Sequence, residues 1–440
     1  MAQKQKLVFL GGASPFVPST FQAIIENKEV LAGSEVCLMD PNPALLPKLA
    51  KLGEVMAQRA GFDLKVTHTT DARRAIEGAN FVFAGYRVGG VKALYEDFTI
   101  PSKYGICGDE TAGPGGTFMA QCTIPATVGY CRIMEELAPG AWAISYVNPT
   151  NFVADAVRRV TKTKFIAICD CFPGFVHGIA RLFDVSDDRV KARAMGVNHL
   201  TWLTEVYVDG KDVYPELKAK SRKAALDRSP DLDFSMRIVD AYDHILVCPS
   251  HPRMLWEHDE VMAQHEARWD SPEAVARQRE RTQEVWDYAD AMIAGAPYDE
   301  SKPHMRMHHA RHAIGLAVSI ISNDGREWGG MNFPNNGAIA NLPRGAIVEG
   351  QCVVDARGPT PIAIGDLPKA VLGQTLATLA WQDLSVDAAL SGDKKVLYQA
   401  LLAAPFVHDM KAAKQTMDDL LVAHADLMPQ FKGEPVLTRS

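Results

Sequence analysis

Cys169-Asp170-Cys171-Phe172-Pro173-Gly174 sets a thiol and a carboxylate side by side, and His199, in Gly196-Val197-Asn198-His199, follows thirty residues after Cys169. A thiolate with an imidazole is good ligation for a borderline divalent ion. A carboxylate beside such an ion can act as a general acid. The plainer alternatives are a buried free cysteine, a histidine satisfying a core hydrogen bond, and an aspartate capping the Pro-Gly turn.

A second chemical signal opens the chain. Gly11-Gly12-Ala13-Ser14 follows the apolar run Lys6-Leu7-Val8-Phe9-Leu10 and precedes a helical pattern from about Ser19 to Asn27, with Ser19 as N-cap. Glycines between a strand and a helix let the backbone approach a pyrophosphate, and the helix N-terminus favours its charge. Asp40 ends the next strand, Glu35-Val36-Cys37-Leu38-Met39-Asp40, where an acid can hold ribose hydroxyls and favours NAD over NADP. The full G-x-G-x-x-G pattern is not met, so a tight strand–helix turn with a solvated Asp40 is the competing reading.

A third cluster is His304-Met305-Arg306-Met307-His308-His309-Ala310-Arg311-His312. On a helix His304 and His308 share a face, as do His308 and Arg311 or His312. An anion site and a solvated polar face both fit.

These residues need a scaffold. Strand-like runs at 35–40, 62–68, 80–84, 142–147 and 164–169 alternate with helical patterns at 45–60 and 71–77. That cadence predicts a doubly wound parallel sheet of the Rossmann type, as in lactate and malate dehydrogenases. Past residue 195 the pattern changes to strand-like segments at 195–203 and 205–211, with Asp209-Gly210 marking a hairpin, then a helix-rich stretch. A helical pattern covers 306–321, and strands are expected near 331–333 and 346–354. The expected organisation is an NAD-binding domain over 1–195 and a helix-rich α+β substrate and catalytic domain over 196–440, interlocked for want of a clean linker.

The 440 residues carry a net charge of -7, with 47% hydrophobic and 22% charged residues. This suits a soluble globular enzyme and argues against a nucleic-acid binder. With no apolar run of 18 residues and no signal-peptide pattern at the start, neither a membrane span nor export is expected. The eight cysteines show no framework spacing, so a cytoplasmic protein with reduced thiols is expected.

Several longer motifs resemble glycoside hydrolase family 4. Leu10-Gly11-Gly12-Ala13-Ser14-Pro15-Phe16-Val17-Pro18 is similar to its G-G-G-S-x-x-x-P opening, and Tyr86-Arg87-Val88-Gly89-Gly90 to its RVGG segment. The segment from Ile100 to Gly116, containing Tyr104-Gly105, Gly108-Asp109-Glu110-Thr111 and Gly113-Pro114-Gly115-Gly116, is similar to IPLKYGVIGQETTGPGG. Val147-Asn148-Pro149-Thr150-Asn151 matches the NPTN step, and 335–343 matches NNGAIPNLP. The likeness runs from residue 6 to about 407.

The resemblance implies a glycosidase, an exception to two-carboxylate hydrolysis. NAD takes hydride from C3 of the sugar, a base removes the C2 proton, and the aglycone leaves C1 with help from an acid. Water then adds and the hydride returns. A divalent ion, Mn2+ by the resemblance, sits on O2 and O3 and polarises the C3 carbonyl. The metal ligands implied are Cys169 and His199. Asp170 is the acid, and Cys171 is read as packing. Gly11, Gly12, Ala13, Ser14, Asp40, Arg87 and Asn148 are the cofactor residues, with Asn148 also touching the sugar. Glu110, Arg306, His309 and Arg311 are expected at the substrate. A homodimer or homotetramer acting on a small-molecule sugar glycoside is expected.

Two departures shape the substrate and the base. Phospho-sugar members of the family carry an arginine where this chain has Leu94, so the planar fork that grips a 6-phosphate is missing. With Arg and His dense at 304–312, a C6 carboxylate or sulfonate is expected, as in a glucuronide or a sulfoquinovoside; a neutral α-glucoside or α-galactoside is the alternative. The family's base tyrosine has no counterpart in Cys248-Pro249-Ser250-His251-Pro252-Arg253. His251 is the expected base, since an imidazole suits proton abstraction near neutrality. Tyr242 and a metal-bound hydroxide are further candidates. A plain NAD-dependent dehydrogenase of the 2-hydroxyacid type, and a sensor that has kept the fold, complete the alternatives.

Overall fold

Lys6-Leu7-Val8-Phe9-Leu10 is apolar on both faces, as a central strand of a parallel sheet must be. In the computed structural model it is that strand, β1 (Lys6–Leu10). The structure describes residues 4–109, 111, 113–225, 230–249, 251–268, 272–302, 305, 308–433 and 436.

Five more parallel strands follow: β2 (Ser34–Met39), β3 (Leu64–Thr69), β4 (Phe81–Ala84), β5 (Trp142–Ser145) and β6 (Lys164–Ile168). Their order is β3-β2-β1-β4-β5-β6, the dinucleotide-binding arrangement, with its switch point between β1 and β4. Alternate β1 side chains serve different faces. Leu7 and Phe9 pack under the helices Val17–Glu26 and Leu46–Arg59. Val8 and Leu10 pack under Ala72–Ile76 and Pro114–Leu137. Phe9 stacks on Phe83 of β4 with ring centroids 4.7 Å apart. Burying each such large side chain contributes about 1.5–3 kcal/mol.

The sheet does not stop at β6. It continues antiparallel through β7 (Val190–Val197), β8 (Leu200–Val208), β9 (Lys211–Asp212), β10 (Arg326–Pro334) and β11 (Ile347–Asp355), in the order β10-β11-β7-β8-β9. A short β12 (Gly358–Pro361) pairs with β11. The join is β10 against β6, at Met331↔Ile168 and Asn332↔Ala167. Both halves therefore share one sheet and one apolar core, in which Phe21 and Leu52 belong with Trp202, Leu316 and Met331. The expected division at 195/196 falls inside β7, because the hairpin already begins at Val190.

Two local expectations changed. Ser19 lies inside the helix Val17–Glu26, and its hydroxyl donates to the Phe16 carbonyl (2.8 Å) instead of capping. Pro18 in the first turn, with its fixed φ, starts the helix earlier. The strand-like run 195–203 is two strands joined at Asn198-His199, with His199 at φ +65°. Asp209-Gly210 makes the expected turn, with both residues at positive φ. Among the described residues no helix is long and apolar enough to cross a membrane.

Candidate active site

The carboxyl ends of β1, β2, β4, β5 and β6 form one edge. At β1, Gly11 takes φ +88°, and a Cβ there would sit 2.4 Å from the Gly85 carbonyl oxygen. A Cβ on Gly12 would sit 2.7 Å from the Met39 nitrogen. Both glycines are thus required by close approach of β2 and β4. The Gly11 and Gly12 N–H groups donate to the Met39 carbonyl at 3.0 and 2.8 Å. Asp40 accepts from the N–H of Ala13 (3.3 Å) and of Asn42 (2.9 Å). The acid therefore borders the turn that Ser14 continues towards the helix Val17–Glu26. The N–H groups of the turn are used within the protein, so the Asp40 carboxylate and the N-terminus of the helix Val17–Glu26 are the features that fit a dinucleotide.

Arg87 lies beside this turn, since the Cβ of Tyr86 abuts Gly11. Its guanidinium donates to buried Asp97 (2.6 Å), which also accepts from His424 Nε2 (2.9 Å). Asn148, just past β5, accepts from the Thr150 hydroxyl (2.9 Å).

Cys169 follows β6 and is buried, with its N–H donating to the Gly330 carbonyl (2.9 Å). β10 bulges there between Trp328 and Met331. Gly330 sits at φ +68°, and a Cβ on it would lie 2.5 Å from the Cys169 carbonyl oxygen. The β7–β8 turn delivers His199 to the same spot, where Gly196 admits the Leu200 carbonyl at a distance no Cβ could tolerate (2.2 Å). The ligand atoms of Cys169, Cys171 and His199 lie within 4.8 Å of one another. His199 is buried, and its Nδ1 has no hydrogen-bond partner. Burial, with adjacent His251, lowers its pKa to about 3, so the imidazole is neutral at neutral pH. A neutral, buried, unsatisfied imidazole beside a thiol fits a divalent ion.

Glu349 supports the turn from beneath. It is fully buried and accepts from Asn198 Nδ2 (2.7 Å), the Thr201 hydroxyl (2.8 Å) and Asn332 Nδ2 (3.2 Å). Burial raises its pKa against the pull of those hydrogen bonds.

His251 stacks on His199 with ring centroids 4.0 Å apart. Its Nδ1 meets the carboxylate of Asp109 at 3.0 and 3.2 Å. Asp109 is buried and also accepts from the Thr111 N–H (2.8 Å). The glycines of Gly113-Pro114-Gly115-Gly116 make this possible, since the Asp109 and Thr111 carbonyls come within 2.5 and 2.6 Å of where Gly115 and Gly116 would carry Cβ atoms. Buried Arg253 fixes the segment bearing His251 by donating to Glu257, Glu260 and Gln264. An imidazole oriented by a carboxylate through Nδ1 leaves Nε2 to accept a proton. Tyr242 instead accepts from Trp256 Nε1 (2.8 Å) within an aromatic cluster that includes Trp202.

Asp170 precedes the helix Cys171–Phe183 but its side chain makes no capping bond. Its carboxylate lies 2.6 Å from His309 Nδ1 and stays about a third exposed. Tyr146 donates to the His309 carbonyl (2.9 Å), tying that residue to the end of β5.

Arg311, expected at the substrate, lies apart from the Cys/His cluster. Its guanidinium donates to both oxygens of Glu26 (2.9 Å each) and to Glu300 (2.8 Å). Two residues on a helix differ by about 200°, so Arg311 leaves the face that His309 presents to Asp170. His312 is buried, stacked on Trp328, rather than solvated. Lys92, near Leu94, pairs with Glu96 (2.8 Å). Glu110, Arg306 and His304 lie outside the described residues, as does the His308 side chain. Residue patterns alone did not single out Asp109, Glu349 or Cys248; Asp109 lies in the Gly108–Thr111 motif, so that motif was the available signal. A cavity of about 1410 Å³ behind the helix Cys171–Phe183 is lined by Phe172, His177, Arg193 and Trp328, not by the cluster.

A sheet of this order with a glycine turn, an acid ending β2 and a Cys/His cluster at its carboxyl edge defines an enzyme of the dinucleotide-binding α/β class. Comparison with known proteins matches residues 6–185 to "Family 4 glycosyl hydrolase" and 194–407 to "Family 4 glycosyl hydrolase C-terminal domain". A probable 6-phospho-beta-glucosidase of Bacillus subtilis is 30% identical over 98% of this chain and 99% of its own. An alpha-galactosidase of the same organism is 27% identical, over 97% and 100%. The crystal structure of a 6-phospho-alpha-glucosidase from gut microorganisms, in complex with NAD and Mn2+, superposes with a TM-score of 0.87 at 24% identity, covering 97% and 100%. The chain belongs to glycoside hydrolase family 4. It is a glycosidase, and the readings as a plain 2-hydroxyacid dehydrogenase or a sensor fall away.

Proposed function

We propose that this protein hydrolyses a sugar glycoside by oxidation at C3, loss of the C2 proton, elimination of the aglycone from C1, addition of water and re-reduction. The observation that carries this reading is the His251–Asp109 pair stacked on His199 beside Cys169. Gly11, Gly12, Ala13, Ser14 and Asp40 hold NAD, with Arg87 and Asn148 bordering it; Asn148 also meets the sugar hydroxyls. Cys169 and His199 hold the divalent ion, Mn2+ by analogy with the solved relative. When bound, NAD supplies reversible removal of hydride from C3 and the ion supplies Lewis-acid charge beside the reacting carbons.

His251 takes the C2 proton on Nε2 while Asp109 stabilises the resulting imidazolium. Asp170, oriented by His309, gives a proton to the departing oxygen at C1. With the roles reversed, Asp170 draws a proton from the incoming water and His251 returns one to C2.

The C6 group is proposed to be a carboxylate or sulfonate, as in a glucuronide or sulfoquinovoside. Leu94 in place of the phosphate-gripping arginine supports it, with Arg306 as the cation proposed to meet that group. A neutral glucoside or galactoside is the second reading, favoured by the neutralisation of Arg311 on Glu26 and Glu300. The names of the curated relatives would point to 6-phospho-sugars or galactosides. A panel of p-nitrophenyl glycosides differing only at C6 decides among them. The mechanism is tested in heavy water: the product should carry deuterium at C2, and a product protiated there rules out elimination.

A further inference from the structure

The two proposed metal ligands sit on different elements, and one buried carboxylate lies between those elements. Cys169 comes two residues after Ala167 of β6, and His199 makes the β7–β8 turn. Strand pairing joins the two places in a single row. Ala167 pairs with Asn332 of β10, Asn332 with Glu349 of β11, Glu349 with Gly196 of β7, and Gly196 with Thr201 of β8. Residues directly opposite one another on paired strands present their side chains on the same face. Glu349, at the centre of the row, accepts from Asn332 Nδ2 (3.2 Å) on one side and from the Thr201 hydroxyl (2.8 Å) on the other. Gly196 has no side chain, so Glu349 reaches past it to Thr201. Asn198 Nδ2 adds a third bond at 2.7 Å.

Asn198 and Thr201 bracket His199. That histidine holds φ +65°, a conformation that a residue with a side chain adopts uncommonly and keeps only where its surroundings fix it. The carboxylate that grips both flanks of the turn is tied through Asn332 to the strand beside β6. Glu349 is only 2% exposed, and its three donors are neutral groups. Burying a carboxylate in this way is costly, and packing alone does not call for an acid. Its charge also reaches the thiol at the other end of the row: Cys171, burial and Glu349 all raise the Cys169 pKa. We propose that Glu349 is the positioning residue of the metal centre: it fixes His199 relative to Cys169, and its negative charge favours a cation held by them. This rests on reading Cys169 and His199 as the metal ligands.

The test titrates Mn2+ into the full-length, metal-free protein and reads the free ion from its paramagnetic resonance signal. Circular dichroism confirms folding of each variant. Glu349→Gln keeps the size of the side chain, removes its charge and turns an NH2 towards groups that themselves donate. It should bind Mn2+ about 10- to 100-fold more weakly, the usual effect of losing a group that orients a ligand. Thr201→Val loses one bond to Glu349 and should weaken binding about tenfold, whereas Thr201→Ser keeps the hydroxyl and should bind as wild type does. NAD affinity should not change in any of these. Leu397→Ala, in a buried cluster apart from the site, should lower the unfolding temperature and leave Mn2+ affinity intact. Wild-type Mn2+ affinity in Glu349→Gln or Thr201→Val, with binding lost in Cys169→Ala, overturns the role of Glu349 and leaves the ligand assignment standing. Thr201→Ser as weak as Thr201→Val, or Leu397→Ala as weak as Glu349→Gln, also overturns it, since the loss then follows from general destabilisation. Mn2+ affinity unchanged in Cys169→Ala sinks the ligand assignment itself.

Discussion

Replacing Asp109 by asparagine isolates the step on which the chemistry turns. The introduced amide can keep the bond from the Thr111 N–H through its oxygen, so the loop has no reason to move. It can no longer hold a positive imidazole, and an NH2 aimed at His251 Nδ1 favours the tautomer with its proton on Nε2. A buried hydrogen bond to a charged group is worth about 1.5–3 kcal/mol. At about 1.36 kcal/mol per tenfold, kcat should fall about 10- to 150-fold. KM should change little, because the interaction removed is the one to His251 Nδ1. His251→Gln removes the proposed base and should cost about 10²- to 10⁴-fold. The double variant should be no slower than His251→Gln alone, since Asp109 acts through the imidazole. Initial rates on a p-nitrophenyl glycoside that the wild type turns over, with the isotope effect of a C2-deuterated substrate, give the readout. An Asp109→Asn enzyme with wild-type kcat, or losses that multiply in the double variant, would refute the orientation argument.

Other changes address the cofactor, the metal, the fold and the charged helix. Gly11→Ala should destabilise by about 1–3 kcal/mol from positive φ alone, and more from the clash with Gly85; thermal unfolding and an NAD titration should both register it. His199→Ala should leave the protein folded but unable to retain a divalent ion through dialysis, as measured by metal analysis. Burial lowers the His312 pKa to about 4. The unfolded chain takes up that proton near pH 6.5 while the folded chain resists until about 4, so stability is full above 6.5 and falls as pH drops. The loss is about 3 kcal/mol at about 1.36 kcal/mol per pKa unit; urea unfolding of His312→Gln should lack that part of the acid slope, and an unchanged slope refutes it. Arg311→Ala should leave kcat/KM unchanged on substrates of any C6 charge and lower stability by less than about 1 kcal/mol; a selective loss on anionic substrates would restore Arg311 to the C6 pocket.

Period and turn chemistry are local properties, and the chain carries them openly. Alternating strand and helix patterns announced the parallel sheet, Gly11-Gly12 the tight turn after its first strand, and Asp209-Gly210 its hairpin. The family motifs carried the reaction class. Contacts between distant segments were not legible. Cys171 and Cys248 are 77 residues apart, and Asp109 and His251 are 142 apart. No local pattern records such a meeting, because it depends on which distant segments the sheet brings side by side, as where β10 inserts beside β6. The segment 304–312 shows the same limit in reverse. Its basic residues looked like one anion site in one dimension, yet the rotation of the helix sent Arg311 to Glu26 and His309 to Asp170. Which chemical groups this protein owns, and the sheet that presents them, could be read in one dimension. Which groups meet could not, because each helix or strand projects neighbouring side chains in different directions and only packing chooses their partners.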